Sequence, residues 1–139
     1  ASTLGGMCLG PVNTAGVHAL AYPLGGSYKV PHGVANSLLL PHVMEFNAEA
    51  APQRTGQIAG ALGVDMRELG ATDAARAGVA AVRALAEDIG IVTRLRDLQI
   101  PEDAIEGMAT AAMQVTRLLG NNPREISESD AVALYRQAY

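Results

Sequence analysis

Ile105, Met108, Ala112, Val115 and Leu119 recur at intervals of three and four residues, and no part of the chain sustains a two-residue alternation of apolar and polar residues. The first spacing lines one face of an α-helix, whereas a half-buried strand needs the second. The chain is therefore expected to be all-α, with glycine and proline marking its divisions. Helical composition runs from about Gly6 to Ala21, broken at Pro11 and ended by Pro23 and Gly25-Gly26, with a loop from Gly25 to Pro31. Val34 to Leu40 reads as a short buried helix, and Pro41 as the start of the next helical turn, where its missing N–H costs nothing. A further helix spans Ala48 to Leu62 and stops at Gly63. Thr72-Asp73 should cap the next, which carries Val79, Val82, Leu85 and Ile89 at near-helical spacing and ends at Gly90. Pro101-Glu102-Asp103 opens the striped helix, which Gly120 and Asn121 close. Ser127-x-x-Asp130 has the spacing of a capping box for a last helix reaching Tyr135. The expectation is one domain of six or seven helices.

At 139 residues the chain can bury roughly two thirds of its unfolded surface. One Phe, four Tyr and no Trp point to a core of Ala, Leu and Val, with Met44, Met66, Met108 and Met113 as filler. A net charge of −4 without a basic stripe argues against a nucleic-acid partner. The absence of a polybasic segment, and apolar runs far short of the ~18 residues of a spanning helix, argue against a membrane. Cys8 stands alone, which excludes a disulfide framework and fits a reducing cytoplasm. It is expected to be a small buried hydrophobe. The opening Ala1-Ser2-Thr3-Leu4-Gly5-Gly6 lacks an initiator Met and the features of a signal peptide, and reads as a loop entering a helix within a longer chain.

The chemistry concentrates between His18 and Asn36. His18 and His32 bracket a Pro-Leu-Gly-Gly break, and His32 sits in a Pro31-His32-Gly33 turn. A histidine on each side of one helix–loop–helix corner can turn both imidazoles into one cavity, an arrangement that suits a divalent metal taking nitrogen ligands. Two histidines are too few to hold a catalytic metal. Taken alone, His18 reads first as a helix histidine bonded to a backbone carbonyl. His42, also beside a proline, is carried away from the corner by the following helix and reads as structural or superficial. The acid pairs Glu102/Asp103 and Glu125/Glu128 read as helix-start charges.

The segment from His18 to Asn47, which includes Pro31-His32-Gly33-Val34-Ala35-Asn36, closely resembles the signature of the iron-containing (group III) alcohol dehydrogenases. Gly120-Asn121-Asn122-Pro123-Arg124, followed by an acid-rich helix ending in Tyr135, resembles the close of the same family. The resemblance spans essentially the whole chain. It implies that residues 1–139 are most of the helical C-terminal domain of a dehydroquinate synthase-like, iron-containing alcohol dehydrogenase, with the N-terminal nucleotide-binding domain absent.

In that family Fe²⁺, sometimes Zn²⁺, is held by one Asp and three His, two of which match His18 and His32. The metal acts as a Lewis acid while hydride passes between an alcohol or aldehyde and NAD(P). Many members carry a second histidine four residues after the first, near nicotinamide and substrate. Here that position is Tyr22, which keeps a hydroxyl but does not titrate near neutrality. The resemblance thus implies a metal-dependent alcohol dehydrogenase acting on a small alcohol or aldehyde, silent as this piece alone and a homo-oligomer, expected as a dimer that covers apolar surface. The alternative is a non-catalytic helical module for metal binding or assembly.

Overall fold

The computed structural model describes residues 2–139, Ser2 by its backbone alone. Ala1, the first residue of the expected opening loop, lies outside the described residues. Eight α-helices follow one another: α1 Ser2–Val12, α2 Gly16–Tyr28, α3 His32–Ala48, α4 Pro52–Ala61, α5 Ala71–Asp88, α6 Ile105–Met113, α7 Thr116–Leu119 and α8 Glu128–Gln137. Two 3₁₀ turns, Leu95–Leu98 and Glu102–Ala104, lead into α6. No strand occurs among the described residues. The all-α expectation holds, and the helix boundaries show where it needed refining.

Helices α2, α3, α6 and α8 surround the main core, which contains Leu20, Leu24, Leu38, Leu39, Ile105, Met108 and Tyr135. The expected loop from Gly25 to Pro31 is shorter than its glycines suggest. Helix α2 continues through Pro23 and Gly25-Gly26 to Tyr28, because Ala19, Leu20, Ala21, Pro23 and Leu24 are all buried. It ends where Lys29 turns left-handed at φ 58°. Pro41 likewise does not divide the chain. Helix α3 runs through it from His32 to Ala48, held by buried Leu38, Leu39 and Val43 on either side. Packing offsets the lost hydrogen bond in both helices. The Tyr135 hydroxyl also ties α8 to α2, donating to the Leu20 carbonyl at 2.6 Å, one residue beyond the Ala19 carbonyl that Pro23 leaves without its helical donor. Burial pushes the Tyr135 phenol well above its ordinary value.

Helices α4 and α5 pack on each other through small residues, and both touch α3. A Cβ at Gly78 would stand 2.9 Å from the Thr55 carbonyl oxygen, so the two backbones approach this closely only with glycine there. Gly63 and Gly90 follow the two helices with positive φ, as expected of their stops. Two details differ. The α5 N-cap is Gly70, in an extended conformation, which places Thr72 inside the first turn without a capping bond. The buried face of α5 is Ala74, Ala75, Gly78, Val79 and Ala86, while Leu85 and Ile89 are exposed.

The striped helix divides at Val115, whose ψ of 51° is not helical. The bend turns Leu118 into the core, 1% exposed, and leaves Val115 only half-buried. The capping box forms as expected: Ser127 accepts from the Asp130 N–H, and Asp130 accepts from the Ser127 N–H. Helix α1 contradicts two expectations. It begins at Ser2 rather than near Gly6, and it stands outside the packed body, with Leu4 69%, Met7 71% and Val12 66% exposed. Cys8 lies on this helix and is exposed, not buried, because no other element covers it. Among the described residues no helix is long and apolar enough to cross a membrane.

Candidate metal centre

His18 lies in the first turn of α2, and His32 is the first residue of α3. The corner between them is set by Lys29 in the left-handed region and by extended Pro31 (ψ 137°), which directs the chain back along α2. The two imidazoles face each other with ring centroids 5.2 Å apart and planes inclined at 55°. Partial burial, and next the neighbouring His32, hold His18 below its ordinary pKa, so its ring nitrogen keeps the lone pair a metal needs. The Asn36 amide donates to the His32 carbonyl at 2.8 Å, one helical turn along α3.

Beside the pair is a cavity of about 460 Å³ whose wall includes Asn13, Thr14, His18, Asn36, Asn47 and Asn122. A second network holds this wall. Asn47 and Asn122 form a reciprocal amide pair, Nδ2 of each donating to Oδ1 of the other at 3.0 and 2.7 Å. Asn122 also accepts from the Gly16 N–H at 3.3 Å and donates to the Arg124 carbonyl at 2.6 Å. A Cβ at Gly16 would lie 2.7 Å from Asn122 Oδ1 and from Ile126 Cδ1, so a side chain there would push both aside. Asn121 donates to the Thr14 carbonyl. The Arg124 guanidinium stacks 3.9 Å over Phe46 and pairs with Glu49 at 2.7 Å. The Gly120–Arg124 segment thus fastens the start of α2 to the end of α3, the two helices that carry the histidines.

His18 stands on the wall of this cavity and His32 faces it across the ring pair; two imidazoles so placed fit a divalent ion such as iron or zinc. Among the described residues no third His, Cys, Asp or Glu completes a group of three. Tyr22, one turn beyond His18, is 48% exposed and is not part of the cavity wall. His42 does not join the pair. It is half-buried in a separate crevice with Arg83, and its Nδ1 has no partner.

The roles of Asn36, Asn122 and Arg124 were not apparent from the sequence. Asn36 carried a signal in its spacing of four from His32. Two of the three partners of Asn122 lie 75 and 106 residues away, and no local pattern announces them.

Comparison with known proteins bears on the family and the fold. The C-terminal model of the Fe-containing alcohol dehydrogenase family matches residues 1–139. The chain is 42% identical over 139 residues to 1,3-propanediol dehydrogenase of Klebsiella pneumoniae, covering all of this chain and 36% of that protein. It is 41% identical over 134 residues to lactaldehyde reductase of Escherichia coli, covering 96% of this chain and 35% of the relative. The chain therefore spans only about a third of the length of these curated relatives. The crystal structure of an alcohol dehydrogenase from Oenococcus oeni superposes with a TM-score of 0.93 at 35% identity, over 98% of this chain and 35% of that one. With its whole length matched by the family model, the chain belongs to the Fe-containing alcohol dehydrogenase family, as part of its C-terminal region.

Proposed function

We propose that the polypeptide carrying this chain is a metal-dependent, NAD(P)-linked dehydrogenase that interconverts a small alcohol and its aldehyde or ketone, with His18 and His32 as two of the metal ligands. The observation that carries this reading is the convergence of the two imidazoles, 5.2 Å apart, in a chain of this family. Fe²⁺ or Zn²⁺ held by His18, His32 and further ligands would supply Lewis acidity to a carbonyl or alcohol oxygen, and NAD(P) would supply the hydride chemistry. The chain's own residues prepare the place. The depressed pKa of His18 keeps the ring neutral, and the Asn47–Asn122 pair fixes the helix that carries it. The exposed Tyr22 hydroxyl offers a hydrogen bond to a substrate or nicotinamide lying across the corner. The nucleotide-binding part and the remaining ligands are assigned to other parts of the polypeptide, which works in the cytoplasm as a homodimer.

Testing this requires the full-length polypeptide and short alcohols and aldehydes, including 1,3-propanediol and lactaldehyde, with each nicotinamide nucleotide. Turnover that a chelator abolishes and Fe²⁺ or Zn²⁺ restores supports the reading. No turnover with any of these pairs contradicts it. The exposed apolar side chains of α1 favour a second reading, a non-catalytic metal-binding or assembly module. That reading expects self-association and metal binding without nucleotide-dependent turnover.

A further inference from the structure

His32 is exposed, so burial does not fix its ring. What touches it is Asn36. The Asn36 amide nitrogen lies 3.3 Å from His32 Nδ1 and 3.2 Å from Nε2, while donating to the His32 carbonyl at 2.8 Å. The two ring nitrogens flank Cε1. A group almost equidistant from both cannot approach in the ring plane without striking Cε1, so the amide lies over the ring face. Both nitrogen edges stay open in the plane, where a lone pair points. His18 limits the ring from another direction, 5.2 Å away and tilted.

The other end of the amide shows that this orientation has a cost. Asn36 Oδ1 is buried and has no hydrogen-bond partner, whereas buried polar atoms in native proteins are nearly always satisfied. Turning the amide over would set Oδ1 against the His32 carbonyl oxygen, two acceptors in contact, so the hydrogen-bond network fixes the assignment. Asn36 leaves its acceptor unpaired and keeps its donor on His32.

We propose that Asn36 is the positioning residue of the metal centre: its amide holds the plane of the His32 imidazole and so presents a ring nitrogen edge-on to a divalent ion shared with His18. The inference rests on the metal reading given above and deepens it. Groups that orient a ligating histidine typically change metal affinity 10–100-fold when removed, and a similar loss is expected here.

The test uses the full-length polypeptide, Zn²⁺ titration by calorimetry, and ¹³C relaxation of the His32 ring in the metal-free protein. Asn36→Ala and Asn36→Leu should weaken Zn²⁺ binding by about 10–100-fold and make the His32 ring mobile while the fold persists. His32→Ala serves as the control for the metal reading. If Asn36→Ala binds Zn²⁺ like the wild type, or binds it weakly with the His32 ring still rigid, the positioning role is overturned while the metal reading survives. If His32→Ala also binds like the wild type, the metal reading itself is wrong, and the proposal falls with it. Should Asn36→Leu fail to fold, Asn36→Ala and the ring relaxation decide the matter.

Discussion

Replacing Asn122 by alanine removes four hydrogen bonds at once: two with Asn47, one from the Gly16 N–H and one to the Arg124 carbonyl. Each such bond contributes about 0.5–1.5 kcal/mol net. The site is only partly buried, so water reaches some of the orphaned groups, and the sum should be reduced to about 2–3 kcal/mol. For a domain of this size that corresponds to a fall in Tm of roughly 5–12 °C. Urea unfolding followed by circular dichroism measures the loss directly. A double-mutant cycle with Asn47→Ala identifies its source, because the reciprocal pair can be lost only once. The double variant should therefore cost less than the sum of the single ones by about 1 kcal/mol or more. A loss below about 0.5 kcal/mol, or additivity within about 0.5 kcal/mol, would refute the claim that this amide pair fastens α2 to α3.

Three further outcomes follow from the packing and charges. Tyr135→Phe leaves the buried ring in place but removes the donor to the Leu20 carbonyl, and should cost about 1–2 kcal/mol in urea titration. Gly78→Ala drives a methyl to 2.9 Å from the Thr55 carbonyl. It should destabilise the α4–α5 pair by about 1–3 kcal/mol, seen as faster hydrogen exchange in those helices than in α2. His42 is held below its ordinary 6.5, first by burial and then by Arg83, with Glu45 opposing. The unfolded chain then takes up the proton more readily. The His42 contribution is complete above pH 6.5 and fades as pH falls through the lower folded value. His42→Gln should flatten the pH dependence of the urea midpoint between about pH 7 and 5, and an unchanged slope would count against this assignment.

Features decided by neighbouring residues were legible in advance. Ser127 and Asp130 cap α8 because their partners are three residues apart, and Gly63 and Gly90 follow α4 and α5 because a positive φ is a local property. The facing of His18 and His32 belongs here too, since a single corner joins their helices. Features decided by burial were not legible. Pro23 and Pro41 read as breaks, yet both lie inside helices whose flanking leucines and alanines are buried. Cys8 read as a core residue, but the helix that bears it packs against little of this chain. The bend at Val115 interrupts an unbroken apolar stripe so that Leu118 can enter the core. The Asn47–Asn122 pair joins residues 75 apart, and amide side chains carry no periodic signal.

Metal affinity in the full-length polypeptide, measured by calorimetry with Fe²⁺ and Zn²⁺ against His18→Ala and His32→Ala, tests the central claim most directly. Either substitution removes one of two imidazoles that face each other at 5.2 Å, and each should lower affinity by about 100-fold or more. Binding that both variants retain at wild-type strength would mean that the paired histidines pack the α2–α3 corner and hold no metal.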